Sequence, residues 1–183
     1  MLTPMGIGNV GMPGVLIKRK FRWTFSIQTP CGKIPEHYVK VAARPKLNID
    51  STELNYLNAT TWMPGKAKWE PITVKWIDVA TSEMQGLWNW VATLYNFQKS
   101  ENLPMSEKKG WAGVGVLQSF SGCGDLIERW TMKSMFPEMV DFGDLSYEDS
   151  GEMTIEMSLR YSDVFYEGFC GSPTPAGCCI GCS

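Results

Sequence analysis

Thiols are the most concentrated reactive groups in the sequence. Of six cysteines, four lie close together near the C-terminus, and Cys31 and Cys123 lie far from them; the four are Cys170, Cys178, Cys179 and Cys182. Three interpretations stay open: reduced thiols on an exposed tail, a zinc site, or cross-links to Cys31 or Cys123 of the same or a neighbouring chain. The four-cysteine spacing includes adjacent cysteines and lacks paired Cys-x2-Cys units, which disfavours zinc.

Other groups with catalytic potential are sparse. The spacing Gly6-x-Gly8-x-x-Gly11 formally matches a dinucleotide-binding fingerprint, but no strand precedes it and Pro13 follows it. That context indicates a flexible arm rather than a phosphate cradle. His37 is the single histidine, so acid–base catalysts and metal ligands are few. We therefore expect no enzymatic activity, no cofactor and no metal.

Composition and charge narrow the class of protein further. The chain has 183 residues, of which 44% are hydrophobic and 20% charged, which is typical of one globular domain. Seventeen basic residues against nineteen acidic residues give a net charge of −2. Any contact with nucleic acid is then expected to be passive. The sequence has neither a long apolar run nor a signal-peptide pattern, so we expect no membrane anchor and synthesis in a cytoplasm.

Alternation of apolar and polar residues predicts six or seven strands. Pro45 is expected to bend one of them, Gly122–Asp125 has the composition of a hairpin turn, and Phe136-Pro137 is expected to bend the chain. The strand segments are 21–27, 38–50 (the one bent at Pro45), 72–76, 111–120, 126–135, the short segment 139–142, and 153–161.

One segment switches to the period of a helix. Its apolar residues recur at helical spacing over 82–97, with Ser82 and Gln85 as a predicted capping box; they are Met84, Leu87, Trp88, Val91, Leu94 and Tyr95. Strands joined mostly by turns, with one helix, predict two packed antiparallel sheets, sandwich-like or barrel-like, flanked by that helix.

Residues 50–71 have a different character. The segment is polar and contains Pro64-Gly65, so it is predicted to be a long loop. Such a loop does not ordinarily need five large apolar side chains, which here are Leu54, Tyr56, Leu57, Trp62 and Trp69. The loop either folds over its own core or docks on another chain, and docking is favoured.

Several runs, taken in order, resemble the tail tube protein of contractile-tailed bacteriophages. They span about residues 20 to 166, and their number and order carry the resemblance rather than any catalytic motif. The runs are Val39–Pro45, Leu54–Asn58, Trp62–Lys66, Trp69–Val74, Phe142–Leu145 and Ile155–Asp163.

The resemblance implies a structural role. Family members form hexameric rings whose inner strands join into a continuous β-barrel, and the rings stack into a tube. The tube encloses a tape-measure protein, lies inside a contractile sheath between the baseplate and the tail terminator, and conducts double-stranded DNA into the host. The resemblance thus implies assembly in the host cytoplasm and a final location in the virion.

The chain is expected to consist of three parts. Residues 1–17 are expected to be a flexible glycine-rich arm, 18–167 the tail-tube β domain, and 168–183 a cysteine-rich tail. The loop 50–71 occupies the position that reaches an adjacent ring, and Glu156 is hypothesised to face the lumen. The cysteine-rich tail departs from the family pattern, and cross-linking between subunits is its leading interpretation.

Two alternatives remain open. The same tube fold serves bacterial contractile injection and type VI secretion systems, whose tubes carry protein cargo. A thiol oxidoreductase is the more distant alternative, and it would need a cysteine of lowered pKa in a cleft.

Overall fold

Antiparallel strands dominate the computed structural model, which describes residues 18–104, 110–148 and 151–168. This part of the chain contains twelve strands, one α-helix, α1 (Ser82–Ala92), and a short 3-10 turn at Glu36–Tyr38. The strands are β1 Trp23–Thr29, β2 Gly32–Ile34, β3 Val39–Ala42, β4 Lys46–Tyr56, β5 Ala59–Glu70, β6 Ile72–Ile77, β7 Tyr95–Asn96, β8 Glu101–Asn102, β9 Gly113–Phe120, β10 Leu126–Asp141, β11 Thr154–Arg160 and β12 Asp163–Gly168.

Two sheets share the long strand β10. Its first part pairs with β9 and β12, and its last part pairs with β11. The larger strand order is β2-β1-β9-β10-β11-β6-β3, entirely antiparallel within the pairs. We call β2-β1-β9-β10-β12 the first sheet and β10-β11-β6-β3 the second sheet. The mainly β architecture with a flanking helix confirms the predicted fold class.

The chain crosses between the sheets near the middle of β10. Its register with β9 shifts between Met132 and Met135, and its register with β11 shifts between Pro137 and Met139. Ser134, within the first shift, has a φ of +54°. Such irregularities let one strand turn a corner between two packed sheets. The bend predicted at Phe136-Pro137 is thus a corner inside one long strand rather than a break between two.

The core lies between the two sheets and beneath the helix. Every second residue of β1, β6, β9 and β11 is buried, as the alternating sequence predicts. The helix adds Met84, Leu87, Trp90 and Val91 to this core. The Trp90 indole N–H donates to the Trp111 carbonyl at 2.7 Å, so this large side chain is both buried and hydrogen-bonded.

The predicted helix is confirmed, including its first residue, Ser82, but its predicted capping residue and its predicted end are wrong. Thr81, not Ser82, caps the N-terminus, and its hydroxyl oxygen accepts the Met84 N–H at 3.3 Å. The helix ends at Ala92 instead of residue 97; the Thr93 hydroxyl donates to the Trp90 carbonyl at 2.7 Å, and the chain continues into β7. Trp90 is a core residue that the predicted stripe omits.

Residues 50–71 do not form the predicted loop. They belong to a β-hairpin of β4 and β5, a separate two-stranded sheet with ladder pairs from Lys46↔Glu70 to Tyr56↔Ala59. At about 3.3 Å per residue, the 11 residues of β4 extend about 35 Å. Eleven of the twelve residues of β5 and all of β4 are exposed, so this hairpin stands apart from the core.

Candidate assembly surface

The hairpin presents apolar side chains that its own core does not cover. Near its tip, Leu54, Tyr56 and Met63 lie on one face, because cross-strand partners share a face and alternate residues repeat it. Tyr56 is 79% exposed and Leu57, in the tip itself, is 96% exposed. Isolated chains rarely leave contiguous apolar patches of this kind uncovered, so the tip has the character of a contact surface.

The opposite face of the hairpin carries apolar groups nearer the base. Leu47 pairs with Trp69 and Ile49 with Ala67, and Trp62 lies further along on the same side of the ribbon. Between Ile49 and Ser51 the register shifts by one residue on β5. The hairpin is therefore apolar at its tip on one face and at its base on the other. A ribbon of this pattern is suited to lie between two neighbouring surfaces.

The expected contact residues separate into two groups. Leu54, Tyr56, Leu57 and Trp62 are exposed on the hairpin, whereas Trp69 packs against the core of its own chain. The ring of Trp69 lies 6.3 Å from the ring of Tyr161. Trp69 thus fixes the base of the hairpin, and Met63, which the sequence pattern does not indicate, joins the exposed group with 52% exposure.

Two polar tethers hold the base of the hairpin to the sheets. The Tyr161 hydroxyl donates to the Glu70 carbonyl at 2.6 Å. Arg44, two residues before β4, donates to the carboxylate of Glu128 on β10, and Lys18 donates to the same carboxylate. The Ser119 hydroxyl adds a third donor at 3.1 Å. The Glu128 side chain is only 2% exposed, so three donors satisfy a charge that burial would otherwise penalise.

The protonation of the two tether side chains, Glu128 and Tyr161, follows from their surroundings. Burial alone would raise the pKa of the Glu128 carboxyl, but the Lys18 hydrogen bond, the Arg44 charge and the Ser119 hydrogen bond together hold that pKa below its usual 4.5. Burial raises the pKa of Tyr161 to about 12, so its hydroxyl stays a donor across the physiological range.

Each of the two sheets carries an ion pair between half-buried or exposed side chains of neighbouring strands. On the first sheet, Arg129 contacts Glu167 at 3.2 Å. On the second sheet, Lys75 contacts Glu156 at 3.0 Å, and each side chain is 37% exposed. The neighbours Ile155 and Met157 point into the core, so Glu156 lies on the solvent side of the second sheet. Its expected position in a lumen stays a prediction.

The two described cysteines lie on turns at opposite ends of the first sheet. Cys31 is in the β1–β2 turn and Cys123 in the β9–β10 turn, and both are exposed and free. Because Trp23 pairs with Ser119, the length of β1, about 20 Å, separates the turns, whereas a disulfide needs Cα atoms within about 7 Å. They cannot bond to each other within one chain. The other four cysteines lie outside the described residues.

Neither a metal site nor a membrane span is found among the described residues. Within 18–104, 110–148 and 151–168, no group of three or more His, Cys, Asp or Glu is placed to ligate a metal ion. The helix in those ranges is too short and too polar to cross a bilayer.

Comparison with known proteins identifies chains that share this fold. No protein-family model matches the sequence, and no curated protein matches it. Solved structures do match. A chain in the sheath/tube terminator of the extracellular contractile injection system PVC has a TM-score of 0.64 and 15% identity, covering 85% of this chain and 99% of that one.

Two further structures agree with the first. A chain in the extended sheath-tube complex of PVC has a TM-score of 0.61 and 16% identity, over 83% of this chain and 92% of that one. A chain in the tube-terminating cap of the anti-feeding prophage has a TM-score of 0.64 and 12% identity, over 91% and 99%.

These likenesses define the class of fold. The chain folds as chains in contractile injection assemblies do, and this confirms the fold that the resemblance to tail tube proteins implied. At 12 to 16% identity the likeness concerns the fold alone.

Proposed function

We propose that this chain is the subunit of the inner tube of a contractile bacteriophage tail. Copies form hexameric rings, the rings stack inside the sheath, and the tube conducts DNA into the host cell. The observation that carries the proposal is the exposed hairpin β4–β5, standing on a fold shared with chains of sheath-tube and terminator assemblies. The role is structural and not enzymatic.

The hairpin supplies the contact between rings. Its tip presents Leu54, Tyr56, Leu57 and Met63, and Trp62 lies on its other face. Fully burying one large apolar side chain contributes about 1.5–3 kcal/mol, so a few such side chains are enough to hold two subunits together. Six hairpins per ring, anchored through Glu128 and Tyr161, transmit a pushing force along the stack without a covalent link.

The second sheet lines the lumen in this proposal. On its outer face the charge of Glu156 is balanced by Lys75. Thr73 and Ser158 lie beside this pair. A wall without excess positive charge holds phosphates weakly and lets DNA pass. The lumen first holds the tape-measure protein, the sheath surrounds the tube, and baseplate and terminator proteins close its ends. The tube is assembled in the host cytoplasm and belongs to the virion.

A second candidate function is the inner tube of an extracellular contractile injection system. The likeness to chains from PVC and the anti-feeding prophage favours it. The two functions differ in cargo, because a phage tube passes DNA and an injection tube passes protein. Nucleic-acid and protein analysis of intact particles that contain this chain separates them.

The cysteines are proposed to strengthen the assembly. Thiols of 170–182 would pair with Cys31 or Cys123 of a neighbouring subunit once particles reach an oxidising medium. Both described partners are exposed on turns and therefore accessible to such bonds. A thiol oxidoreductase would need a cysteine in a cleft, whereas Cys31 and Cys123 are exposed on turns.

Negative-stain electron microscopy of the concentrated protein tests the proposed function. We expect rings with six-fold end views that stack into tubes. The double variant Tyr56→Ser/Trp62→Ser should give rings that stack poorly or not at all. Phe97→Ser, which removes an apolar side chain that is 47% exposed away from the hairpin, serves as the matched control and should stack like the wild type. A wild-type chain that stays monomeric even with its baseplate as nucleus contradicts the proposal.

A further inference from the structure

Charge is segregated along this nearly neutral chain. Between Lys18 and Lys46 there are eight Lys or Arg residues and one acidic residue, Glu36. Between Ser134 and Leu159 there are seven acidic residues and no Lys or Arg. A net charge of −2 conceals this asymmetry. Opposite charges on two parts of one chain give copies of that chain an attraction for one another.

The basic segment forms a groove. A cavity of about 580 Å³ opens between the start of the first sheet and β3. Val41 and Leu117 contribute to its apolar floor, and five cations surround it: Lys18, Arg19, Lys20, Lys40 and Arg44. Glu128 neutralises part of this charge, and Glu152 pairs with Lys40 at 3.4 Å. Even without Arg19, four cations against two carboxylates leave the groove at a net +2, with an apolar floor.

The acidic segment has the complementary character. After β10 the ring of Phe142 stacks on Trp88 of the helix, with centroids 4.9 Å apart and planes 5° apart, which fixes where the segment leaves the core. Gly143 then turns the chain with a φ of +73°, at a point where a Cβ would lie 2.8 Å from the Thr154 carbonyl oxygen. Beyond this turn, residues 144–148 contribute no side chain to the core cluster.

Residues 144–148 combine acidic and apolar groups, all of them exposed. Leu145 is 79% exposed and Tyr147 is fully exposed. Asp144 and Glu148 flank them, and neither takes part in an ion pair among the described residues. Apolar side chains between two carboxylates match an apolar floor between cations.

We propose that the basic groove of each copy binds residues 144–148 of a second copy. This inference rests on the proposed function, because it supplies the lateral contact within a ring that the hairpin does not. Groove and segment are different surfaces, so each copy both gives and receives a segment. A head-to-tail contact of this kind produces a closed ring when the rotation between copies closes.

Charge reversal in two separate chains tests the contact. The first variant, Asp144→Lys/Glu148→Lys, has a basic segment and an intact groove. The second, Lys20→Glu/Lys40→Glu, has an acidic segment and an acidic groove, and leaves Lys18 and Arg44 on Glu128. Each alone should raise the protein concentration needed for rings at least tenfold. An equimolar mixture should restore rings, because alternating subunits then pair opposite charges throughout an even-numbered ring.

The control carries the same charge change elsewhere. Glu83→Lys/Glu101→Lys alters two exposed residues that belong neither to the groove nor to residues 144–148, and it should assemble like the wild type. Thermal melting checks that each variant folds. If both reversal variants assemble alone as the wild type does, or if the mixture does not recover rings, the proposed contact is wrong although ring formation itself stands.

A peptide-binding measurement tests the proposed contact without requiring that rings form. A synthetic peptide of residues 141–148 is titrated calorimetrically into the full-length Asp144→Lys/Glu148→Lys chain, whose groove is intact. We expect binding that weakens at least tenfold from low to high salt, and a peptide with the same two lysines should bind at least tenfold more weakly. Absence of binding overturns the inference. Absence of wild-type rings overturns the proposed function, and peptide binding still decides the docking contact.

Discussion

Arg44 and Glu128 join the start of the hairpin to the middle of the fold. The Arg44 guanidinium donates to a carboxylate that is 2% exposed on β10, while Pro45 separates Arg44 from the first residue of β4. The 35 Å ribbon, at about 3.3 Å per residue, therefore begins at a charged tether rather than at a flexible joint. The tether from Tyr161 to the Glu70 carbonyl holds the returning strand in the same region. Together they give an exposed hairpin a defined direction.

The Glu128 tether predicts how stability depends on pH. The pKa of Glu128 is lowered in the folded state, so its contribution is present above the usual value of 4.5 and is lost as pH falls through the folded pKa. Glu128→Gln removes charge-assisted hydrogen bonds that contribute about 1.5–3 kcal/mol each. Because the glutamine oxygen can still accept a hydrogen bond, we expect the free energy of unfolding at pH 7, measured by urea denaturation, to fall by about the contribution of one such bond, about 1.5–3 kcal/mol.

The difference between the wild type and this variant should shrink as pH falls below 4.5. Glu167→Gln is the matched control, because its pair with Arg129 is exposed and is expected to contribute less than about 1 kcal/mol. A Glu128→Gln variant with the wild-type stability and pH slope would show that the tether does not hold the fold.

The Tyr161 tether predicts a local loss of order. Tyr161→Phe keeps the ring beside Trp69 and removes the hydroxyl that donates to the Glu70 carbonyl. We expect a loss of about 1 kcal/mol and faster amide exchange at the base of β4 and β5. Tyr147→Phe, which removes a fully exposed hydroxyl, should change neither. Equal exchange rates in Tyr161→Phe and the wild type would refute the tether.

Leu57 lies at the hairpin tip, and its substitution should weaken assembly without lowering the stability of the monomer. It has a φ of +52°, a conformation that glycine adopts more readily than leucine, and it is 96% exposed. Leu57→Gly should keep or slightly raise the stability of the monomer, by up to about 1 kcal/mol. The same change should weaken ring stacking, because the side chain at the tip is lost.

Leu57→Met provides the control for that experiment, since it keeps an apolar side chain of similar size at the same backbone position. Sedimentation of assembled tubes measures stacking, and urea denaturation of the monomer measures stability. If Leu57→Gly stacked as well as Leu57→Met, the tip would not be a contact between rings.

The cysteine proposal predicts a ladder on gels. Tubes purified from mature particles should run under non-reducing conditions as dimers and larger species, and as monomers after reduction. Cys31→Ser/Cys123→Ser should lose most of the ladder, because it removes both exposed partners on the turns. Tubes that run wholly as monomers before reduction would exclude cross-linking.

Alternation of burial explains which strands are predictable from the sequence. In β1, β6 and β11 one face packs against the core, so apolar and polar residues alternate. These strands can therefore be predicted from the sequence. The hairpin has no buried face, and its apolar residues change sides at the register shift, so no period of two appears. Strand β12 escapes prediction for a related reason, because half of its residues are exposed and none is fully buried.

The candidate contact residues are predictable to a similar extent. Apolar side chains in a polar segment are enough to indicate Tyr56, Leu57 and Trp62 from the sequence. Glu128 gives no such signal, because a carboxylate in a strand looks like a solvated one until Lys18, Arg44 and Ser119 are brought to it from distant positions; their contacts are tertiary. Tertiary contacts also decide that Trp69 lies at the base, against Tyr161, and not at the contact surface.

The two matched ion pairs allow the lumen to be identified. Glu156→Lys on the second sheet and Glu167→Lys on the first sheet each reverse one exposed charge, and each should change stability by less than about 1 kcal/mol. In assembled tubes the first variant replaces six carboxylates per hexameric ring of the proposed DNA path by six ammonium groups. We expect tubes of Glu156→Lys to retain double-stranded DNA in a salt-sensitive manner, and tubes of Glu167→Lys to release it as the wild type does. A reconstruction of the wild-type tube locates both side chains directly. If Glu156 lay on the sheath side, or if the two variants retained DNA equally, the second sheet would not line the lumen.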